Sequence, residues 1–258
     1  MGEHHDTEAS QRYASAPSRR EAILRRIELD GYVSATDLVT QLGVSANTVR
    51  RDLRRLAGDG LVRAVRGGAA PAEPSGAMPF TDRSAQAAAA KRAIAVAAVR
   101  HIEPGTTVAL DSGTTTLEIA KLLPADAGLT VITHSLPAIA VLAPRSDISF
   151  IGIGGHYGRD TRSFGGPEPL AALEHLRVRT LFLSAAALDG SGVYGSNPCE
   201  TDIKRRFMSI ACSTIVVADV GKFSMSAPIR VHSWEPVERL VTDAVPDGFS
   251  AVPVEIAS

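Results

Sequence analysis

Apolar residues that recur at helical spacing predict a short helix near the start of the chain. Ser18 and Glu21, three residues apart, form a capping box just before this run. We therefore expect a helix from Arg19 to about Glu28, ended by an Asp-Gly pair. The preceding residues are polar and show no apolar period, so they predict a disordered tail over residues 1–17.

Two further short helices follow, and each carries its own start signal. Ser34 caps the second helix, which Gly43 ends, and Ser45 caps the third. The third helix has a single apolar stripe, formed by Val49, Leu53 and Leu56. Two helices joined by such a brief turn are typical of the helix-turn-helix, whose second helix enters the major groove of DNA.

Hydrogen-bond donors cover the other faces of the third helix, and a basic wing follows it. After a Gly-Asp-Gly turn, two short strands flank a glycine-rich tip that holds Arg63 and Arg66. Arginines in a wing contact phosphates, whereas Asn47, Thr48 and Arg50 have the groups to read base edges. The residues that we expect to contact DNA are Ser45, Asn47, Thr48, Arg50, Arg51, Arg54, Arg55, Arg63 and Arg66.

A run of charges on one helix is, by itself, usual for a face exposed to solvent. Here the run follows two capped helices and a glycine turn, and a basic wing comes after it. This combination indicates DNA binding. Asp52 is the acidic exception on the third helix, and we expect it to pair with a neighbouring arginine.

Charge is distributed unevenly along the 258 residues, although the formal charge of the whole chain is −1. Residues 19–68 hold ten arginines against six acidic residues, a surplus of four, so the remainder carries −5. The two cysteines fit no metal-binding or disulfide pattern, and the sequence shows neither a signal peptide nor an apolar run long enough to span a membrane. We expect a cytoplasmic protein without a metal, a cofactor or a membrane contact.

A stretch rich in Gly, Ala and Pro separates the basic segment from the rest of the chain. We predict a winged helix-turn-helix domain over residues 18–70, a linker over 71–80 and a larger domain over 81–250. In the larger domain a helix from Thr81 to Val99 precedes five β-rich runs, which are Thr107–Leu110, Leu129–Thr133, Ile148–Ile153, Thr180–Ser184 and Thr214–Ala218. Because helical stretches separate these runs, we predict an α/β domain with a largely parallel sheet covered by helices.

The first of these strands leads into a loop rich in hydroxyl groups, and a helix follows. The loop reads Asp111, Ser112, Gly113, Thr114, Thr115 and Thr116. Free backbone amides at a helix start, together with Ser and Thr hydroxyls, form an arrangement that binds anions such as phosphate. Ser and Thr also cap helices for structural reasons, so the loop alone is a weak signal. No nucleotide-binding glycine motif accompanies it, which argues against ATP, GTP and dinucleotides.

Other strands also end in polar residues, at the edge where open α/β sheets bind ligands. His134 follows one strand, Gly155 and His156 follow another, and Asp219 precedes Lys222 after a third. A lone histidine at a strand end is more often structural than a ligand contact. His134 and Gly155 join the loop residues as candidates for ligand contact.

Both parts of the chain resemble the DeoR family of transcriptional repressors. The residues that carry the resemblance are the stretch from Leu42 to Leu53, Arg66-Gly67-Gly68-Ala69, Asp111 to Thr116, Thr133-His134-Ser135, Gly154-Gly155, Ser163-Phe164-Gly165 and Asp219-Val220-Gly221-Lys222. The resemblance covers nearly everything from Ser18 to about Phe223. It implies a DNA-binding module joined to a domain that senses a sugar phosphate and folds like ribose-5-phosphate isomerase.

The resemblance also implies roles for single residues. The loop from Asp111 to Thr116 would hold the phosphate, and Glu200 and Lys222 would lie near the sugar. Gly221 stands where the family usually has serine, which removes a hydroxyl beside Lys222. We expect two partners, double-stranded operator DNA and a phosphorylated small molecule, and a homo-oligomer, a dimer or tetramer, that grips a two-fold operator.

An isomerase-like enzyme with a DNA-binding appendage is the alternative, and a purely architectural DNA protein is another. Sugar-phosphate isomerisation typically needs closely spaced carboxylates, but Asp189 stands alone where the isomerases that this domain resembles carry an acidic pair. We therefore predict a regulator rather than an enzyme: a repressor of a carbohydrate-metabolism operon, relieved by a phosphorylated sugar. We then expect Asp189 to be a turn residue or an acceptor for a hydroxyl group, and Trp234 to serve packing. The sequence leaves open whether transcription is repressed or activated.

Overall fold

The computed structural model describes residues 15–30, 32–59, 61–65, 67–71 and 78–257. The chain divides between residues 76 and 77 into a small amino-terminal unit and a larger carboxy-terminal unit. Residues 1–14 of the predicted tail, Arg66 and residues 72–77 of the predicted linker lie outside the described residues.

Three helices form most of the amino-terminal unit: α1 (Ala16–Asp30), α2 (Ala35–Leu42) and α3 (Ala46–Gly58). Their buried apolar residues, among them Ile23, Leu38 and Val49, make one core cluster. The helix α1 begins three residues before its predicted start. Ser18 therefore lies inside α1, and the prediction that Ser18 caps this helix is wrong.

The caps predicted for the next two helices are confirmed. The Ser34 hydroxyl accepts hydrogen bonds from the amides of the first turn of α2, and the Ser45 hydroxyl accepts one from the Thr48 amide at 3.2 Å. Gly43 ends α2 in the left-handed conformation, at φ 63°, which glycine adopts without strain. The predicted helix-turn-helix layout therefore follows from local capping.

The predicted wing is confirmed and contains one strand more than expected. Its antiparallel sheet consists of β1 (Val33–Ser34), β2 (Val62–Val65) and β3 (Gly68–Pro71), with β3 in the middle. A Cβ atom on Gly68 would lie 1.9 Å from the Val33 carbonyl oxygen, so only glycine fits where β1 joins the sheet. The wing is thereby fixed to the segment that leads into α2.

Strands β4 to β15 belong to the carboxy-terminal unit. In chain order they are β4 (Thr107–Leu110), β5 (Thr130–Thr133), β6 (Ser149–Gly152), β7 (His156–Gly158), β8 (Ser163–Gly165), β9 (Val178–Leu183), β10 (Ala187–Asp189), β11 (Gly192–Gly195), β12 (Ala211–Val217), β13 (Ile229–His232), β14 (Arg239–Thr242) and β15 (Val254–Ile256). Seven of them form a parallel sheet in the order β15-β14-β12-β9-β4-β5-β6. All five predicted strands are in this sheet, and β15 extends it beyond residue 250, where the predicted domain ended.

Helices of this unit alternate with the strands, as predicted. They are α4 (Phe80–Ala85), α5 (Ala88–Ala98), α6 (Thr114–Leu122), α7 (Leu136–Leu142), α8 (Pro167–Leu173) and α9 (Pro198–Ile210). Val108 and Leu110 of β4 belong to one buried apolar cluster, and Ala109 belongs to another. Because successive side chains of a strand point to opposite faces, the sheet has a core on both faces.

The single helix predicted from Thr81 to Val99 is wrong, because the structure has two helices there. Ala87, between α4 and α5, has φ 50°, a left-handed conformation that an L-residue rarely adopts. The Lys91 ammonium donates hydrogen bonds to the carbonyl oxygens of Arg83 and Gln86. These bonds satisfy carbonyl groups that the end of α4 leaves free.

Two short hydrogen-bonded assemblies complete the unit. One is the hairpin of β7 and β8, and the other is a three-stranded sheet in the order β10-β11-β13. In the part of the chain that the structure describes, none of the helices has the length and apolar character to span a bilayer.

Candidate functional site

Helix α3 presents a continuous polar surface opposite its buried stripe. Asn47, Arg50, Arg51 and Arg54 are exposed, whereas Val49 and the other members of the stripe are buried. This is the surface that the sequence predicted for DNA contact, and its members remain free to reach base edges and phosphates. Contact with DNA by each of them stays a prediction.

Other residues predicted to contact DNA already take part in structure. The hydroxyls of Ser45 and Thr48 are 2.9 Å apart, and that of Ser45 caps α3, which leaves both hydroxyls less free to read bases. The Arg55 guanidinium is exposed but lies 3.1 Å from the Asp59 carboxylate. Arg63 is half-buried in β2, and Arg66 lies outside the described residues.

Asp52 pairs with an arginine, but not with one of its neighbours on α3. Its carboxylate lies 2.5 Å from Nε of Arg19 on α1, and both side chains are buried. The prediction of a local partner is therefore wrong in its choice of arginine. The pair joins α1 to the helix that is predicted to read DNA, so it fixes the angle at which α3 is held.

In the carboxy-terminal unit, Asp111 is the first residue of the predicted phosphate loop and is fully buried. Its Oδ2 accepts hydrogen bonds from the amide and the hydroxyl of Ser184, at 2.9 and 2.6 Å, and from the Lys204 ammonium. Lys204 on α9 is also buried and reaches the carbonyl oxygen of Ser184 at 3.2 Å. Three elements, the end of β4, the end of β9 and α9, are joined by this one carboxylate.

The Lys204 ammonium neutralises the Asp111 carboxylate of the loop. A buried, unpaired carboxylate would repel an approaching phosphate and would cost several kcal/mol to desolvate. Sequence reasoning missed Lys204 and Ser184 because neither lies in the loop. The signal that was present is spacing, since Lys204 is four residues after Glu200 and therefore shares its helix face.

The remaining loop residues are held by close packing. Gly113 is the residue before α6, and a Cβ atom there would lie 2.7 Å from the Ser184 side chain. Thr114, Thr115 and Thr116 form the buried first turn of α6 rather than a loop. The Thr116 hydroxyl donates to the Asp111 carbonyl oxygen at 2.7 Å, so this hydroxyl already serves the fold, and its contact with a ligand stays a prediction.

His134 is completely buried beside this network. Neither of its ring nitrogens finds a hydrogen-bond partner among the described residues, and Nε2 lies 3.9 Å from Oδ1 of Asp111, which is also without one. Burial lowers the pKa of His134 below its ordinary value of 6.5, so the ring is neutral at pH 7. The buried ring contacts Phe207, with centroids 5.6 Å apart.

Glu200 joins the loop to the β7–β8 hairpin. Its Oε1 accepts hydrogen bonds from the hydroxyl of Ser112 at 2.6 Å and from that of Ser163 at 2.7 Å. The Asn197 side chain caps α9 by accepting a hydrogen bond from the Glu200 amide, which fixes the start of this helix. The structure thus brings Glu200 to the predicted loop, and it adds Ser163, which sequence reasoning did not include among the site residues.

Lys222 lies in a basic group with Arg83 and Lys91. Burial lowers the pKa of Lys222, the nearby Asp219 carboxylate acts against this, and Arg83 lowers the pKa further. The pKa of Lys91 is lowered in the same way, mainly by burial, and Asp219 and Lys222 both act on it. A Cβ atom on Gly221 would lie 2.9 Å from Asp219 Oδ1, so a larger residue there would have to displace that carboxylate.

Gly155 has a structural reason to be glycine. A Cβ atom there would lie 2.7 Å from the Pro169 ring at the start of α8 and 2.8 Å from the Gly165 carbonyl oxygen. Its part in ligand binding stays a prediction. His156 is exposed on β7.

Asp189 behaves as the predicted turn residue. Its Oδ1 accepts hydrogen bonds from the amides of Ser191 and Gly192, at 2.7 and 3.0 Å. Trp234 is buried, donates from Nε1 to the Asp189 carbonyl oxygen and packs edge-on against Phe249, which confirms its predicted packing role. Among the described residues, no group of three or more His, Cys, Asp or Glu side chains is placed to hold a metal ion.

Comparisons with known proteins match both units. A model of the DeoR-like helix-turn-helix domain matches residues 19–74, and a model of the DeoR C terminal sensor domain matches residues 86–244. The HTH-type transcriptional regulator IolR of Bacillus subtilis is 35% identical over 82% of this chain and 85% of its own length. Two proteins of Haemophilus influenzae, the glycerol-3-phosphate regulon repressor and the L-fucose operon activator, are 30% and 29% identical, each over 90% of this chain and over 91% and 94% of their own lengths.

Solved structures are similar to part of the chain. Ribose 5-phosphate isomerase A of Methanocaldococcus jannaschii is 16% identical, with a TM-score of 0.39. The match covers 53% of this chain and 55% of that one, so this chain spans about half of the isomerase.

Proposed function

Because the chain belongs to the DeoR family of transcriptional regulators, we propose that it represses an operon of carbohydrate metabolism until a phosphorylated sugar occupies its sensor domain. The observation that carries the proposal is the match of both family models on one chain, with an exposed row of donors on α3 and a buried hydroxyl-rich loop in the sensor domain. The relatives are named as regulators, which supports a sensor rather than an enzyme.

At the DNA end, α3 enters the major groove. Asn47 and Arg50 lie in its first two turns, where the recognition helix of this motif contacts base edges. Arg51 and Arg54, and the arginines of the wing, bind phosphates and set the register. Two copies of the chain bind a two-fold operator, since one recognition helix covers only a half-site.

At the ligand end, the phosphate binds at the start of α6. The first-turn amides of this nine-residue helix have no partner within the helix, and the helix dipole favours an anion there. Because Lys204 neutralises Asp111, the loop does not repel the phosphate. Glu200 accepts hydrogen bonds from sugar hydroxyls, and Lys222, on the segment that follows β12, contacts the same ligand.

Ligand binding and repression are linked by differential affinity. A ligand that favours one spacing of the two winged helices lowers operator affinity, because half-site geometry tolerates little displacement. Repression is the direction that the glycerol-3-phosphate regulon repressor supports, whereas the L-fucose operon activator is a relative with the opposite action. Expression of a reporter gene placed behind an operator that the chain binds, measured with and without the chain, decides between repression and activation.

The first experiment is thermal stabilisation of the full chain across sugar phosphates and their unphosphorylated parents. We expect a shift with a phosphorylated compound and none with its parent. Thr115→Val, which removes one hydroxyl from the first turn of α6, is expected to weaken that shift. Thr106→Val is the matched control, because Thr106 precedes β4, at the end of the strand away from the loop, and its hydroxyl donates to the Glu103 carbonyl oxygen. Equal stabilisation by phosphorylated and parent sugars would overturn the role given to the phosphate.

A further inference from the structure

The first segment of the sensor domain, Met78–Ala85, is held by charged groups. It lies seven residues after Pro71, the last residue of the wing, and it contains α4. Phe80 is only 4% exposed, and the guanidinium carbons of Arg83 and Arg162 lie 5.7 and 5.5 Å from its ring centroid. Both distances are those of cation–π contacts.

The turn between β7 and β8 also holds this segment through its backbone. The Phe80 amide donates a hydrogen bond to the Asp160 carbonyl oxygen at 3.1 Å, and the Arg83 guanidinium donates to the same oxygen at 3.4 Å. Asp160 and Arg162 both belong to the turn, which spans residues 159–162. A single turn therefore contacts both the backbone and the buried ring at the start of α4.

The same turn leads directly into the candidate ligand site. Ser163, the residue after the turn, donates a hydrogen bond to Glu200. The carbonyl oxygen of Arg162 accepts one from the Leu136 amide at 3.0 Å, and that of His134 accepts one from the Phe164 amide at 2.9 Å. The hairpin is thus bonded to two of the candidate ligand residues on one side and to α4 on the other.

Two residues next to α4 have strained backbone conformations: Arg162 contacts its first residue, and Ala87 follows its end. Arg162 has φ 53° and Ala87 has φ 50°, and neither is a glycine. Such conformations persist only where the surrounding structure enforces them, and they are common in segments that switch. Contacts of Arg162 with Phe80 and Leu136, and those of Lys91 at the end of α4, supply this enforcement.

We infer that the β7–β8 turn transmits ligand occupancy to the segment that leads to the DNA-binding domain. A ligand hydroxyl that donates to Glu200 competes with Ser163 for the same carboxylate, and the turn then loosens its hold on Phe80. The inference deepens the proposed function and rests on it in one respect, that Glu200 receives the ligand. It names Arg162 and Phe80 as the residues through which that binding acts.

The ligand-free test is amide hydrogen exchange on the full chain, with Ser163→Ala compared to wild type. We expect amides of residues 80–86 to exchange about 10- to 100-fold faster, the range that follows from losing one hydrogen bond to a charged group. Ser209→Ala is the control, because its exposed hydroxyl, on α9, donates only to the Arg206 carbonyl oxygen. Equal exchange of residues 80–86 in the two variants would overturn the inference.

A second pair of variants, both expected to fold, tests whether the turn transmits ligand binding to DNA affinity. Arg162→Gln removes the charge over Phe80, and Arg159→Gln removes an exposed charge from the same turn. The probe is ribose 5-phosphate, and the DNA is a duplex selected by the wild-type chain from a random pool. We expect Arg162→Gln to keep the thermal shift and the duplex Kd, but to lose most of the change in Kd that the probe causes in wild type and in Arg159→Gln.

The outcomes separate the inference from the proposed function. If wild type binds the duplex but ribose 5-phosphate and the other sugar phosphates give no thermal shift, the proposed function loses its ligand, and the exchange result alone decides the inference. If the thermal shift is present and Arg162→Gln responds to the probe as fully as Arg159→Gln does, the inference is wrong and the proposed function stands.

Discussion

The buried pair of Lys204 and Asp111 gives the sharpest test of how the sensor site is built. Lys204→Met keeps a similar side-chain volume and removes the ammonium that contacts Asp111 and Ser184. Both side chains are at most 5% exposed. Removing one partner of such a pair leaves a buried charge without compensation, which costs about 3–5 kcal/mol.

The size of the effect makes it measurable in the intact chain. For a domain of this size, each 1 kcal/mol lowers Tm by about 2–4 °C, so the expected loss of about 3–5 kcal/mol corresponds to roughly 6–20 °C. Trp234 is the only tryptophan of the chain and lies buried in the sensor domain. Its fluorescence during unfolding therefore reports on the sensor domain and not on the winged helix.

The double variant Asp111→Asn, Lys204→Met separates charge from packing. It removes both charges, so we expect most of the stability lost in Lys204→Met to return, because replacing both members of a buried pair is often nearly neutral. The double variant is also expected to lose ligand stabilisation, since the Asp111 carboxylate no longer accepts the hydrogen bonds that fix Ser184, whose hydroxyl also contacts the Ser112 carbonyl oxygen. A loss below about 1 kcal/mol in Lys204→Met, or a double variant as unstable as the single one, would refute the reasoning.

Two further predictions concern DNA and pH. The double variant Arg50→Ala, Arg54→Ala should abolish operator binding, measured by gel shift, and leave ligand-induced stabilisation unchanged, measured by thermal melting. Loss of both activities would contradict the separation of the two units. Burial lowers the pKa of His134 in the folded chain, so the unfolded chain binds a proton to this residue more readily. The free energy of unfolding should therefore fall as pH drops below the ordinary pKa of about 6.5, by at most about 1.4 kcal/mol per pH unit. His134→Gln should lack this component in Trp234-monitored unfolding between pH 7 and 5, and an unchanged pH dependence would assign it to other groups.

Features fixed by short-range contacts could be predicted from the sequence. Ser34, Ser45 and Gly43 act on the backbone within a few residues, so the bounds of α2 and α3 were predictable. The strand β4 and its hydroxyl-rich loop were equally visible, because burial on both faces and a helix start each leave a local signal.

Features fixed by distant contacts could not be predicted. The arginine that pairs with Asp52 is 33 residues away. The break between α4 and α5 at Ala87 lies in an alanine-rich run with no helix breaker, and it depends on the hydrogen bonds of Lys91 and on the contacts of the β7–β8 turn with α4. Lys204 was missed because a lysine on an amphipathic helix usually faces solvent. Lys204 reaches the site because it is four residues after Glu200, on the same face of α9, and this face lies against the end of β4.

The order of strands in the parallel sheet has a consequence for synthesis of the chain. The strand β4 lies between β5 and β9, and the carboxylate at its end is held by Ser184 and by α9, which ends at residue 210. Domains fold as units while the ribosome elongates the chain, with the amino-terminal one first. A nascent chain therefore has a complete DNA-binding domain for more than a hundred residues of elongation, from Pro71 to Ile210, before the candidate ligand site is complete. A message cut short in that interval would encode the DNA-binding domain without a complete sensor domain.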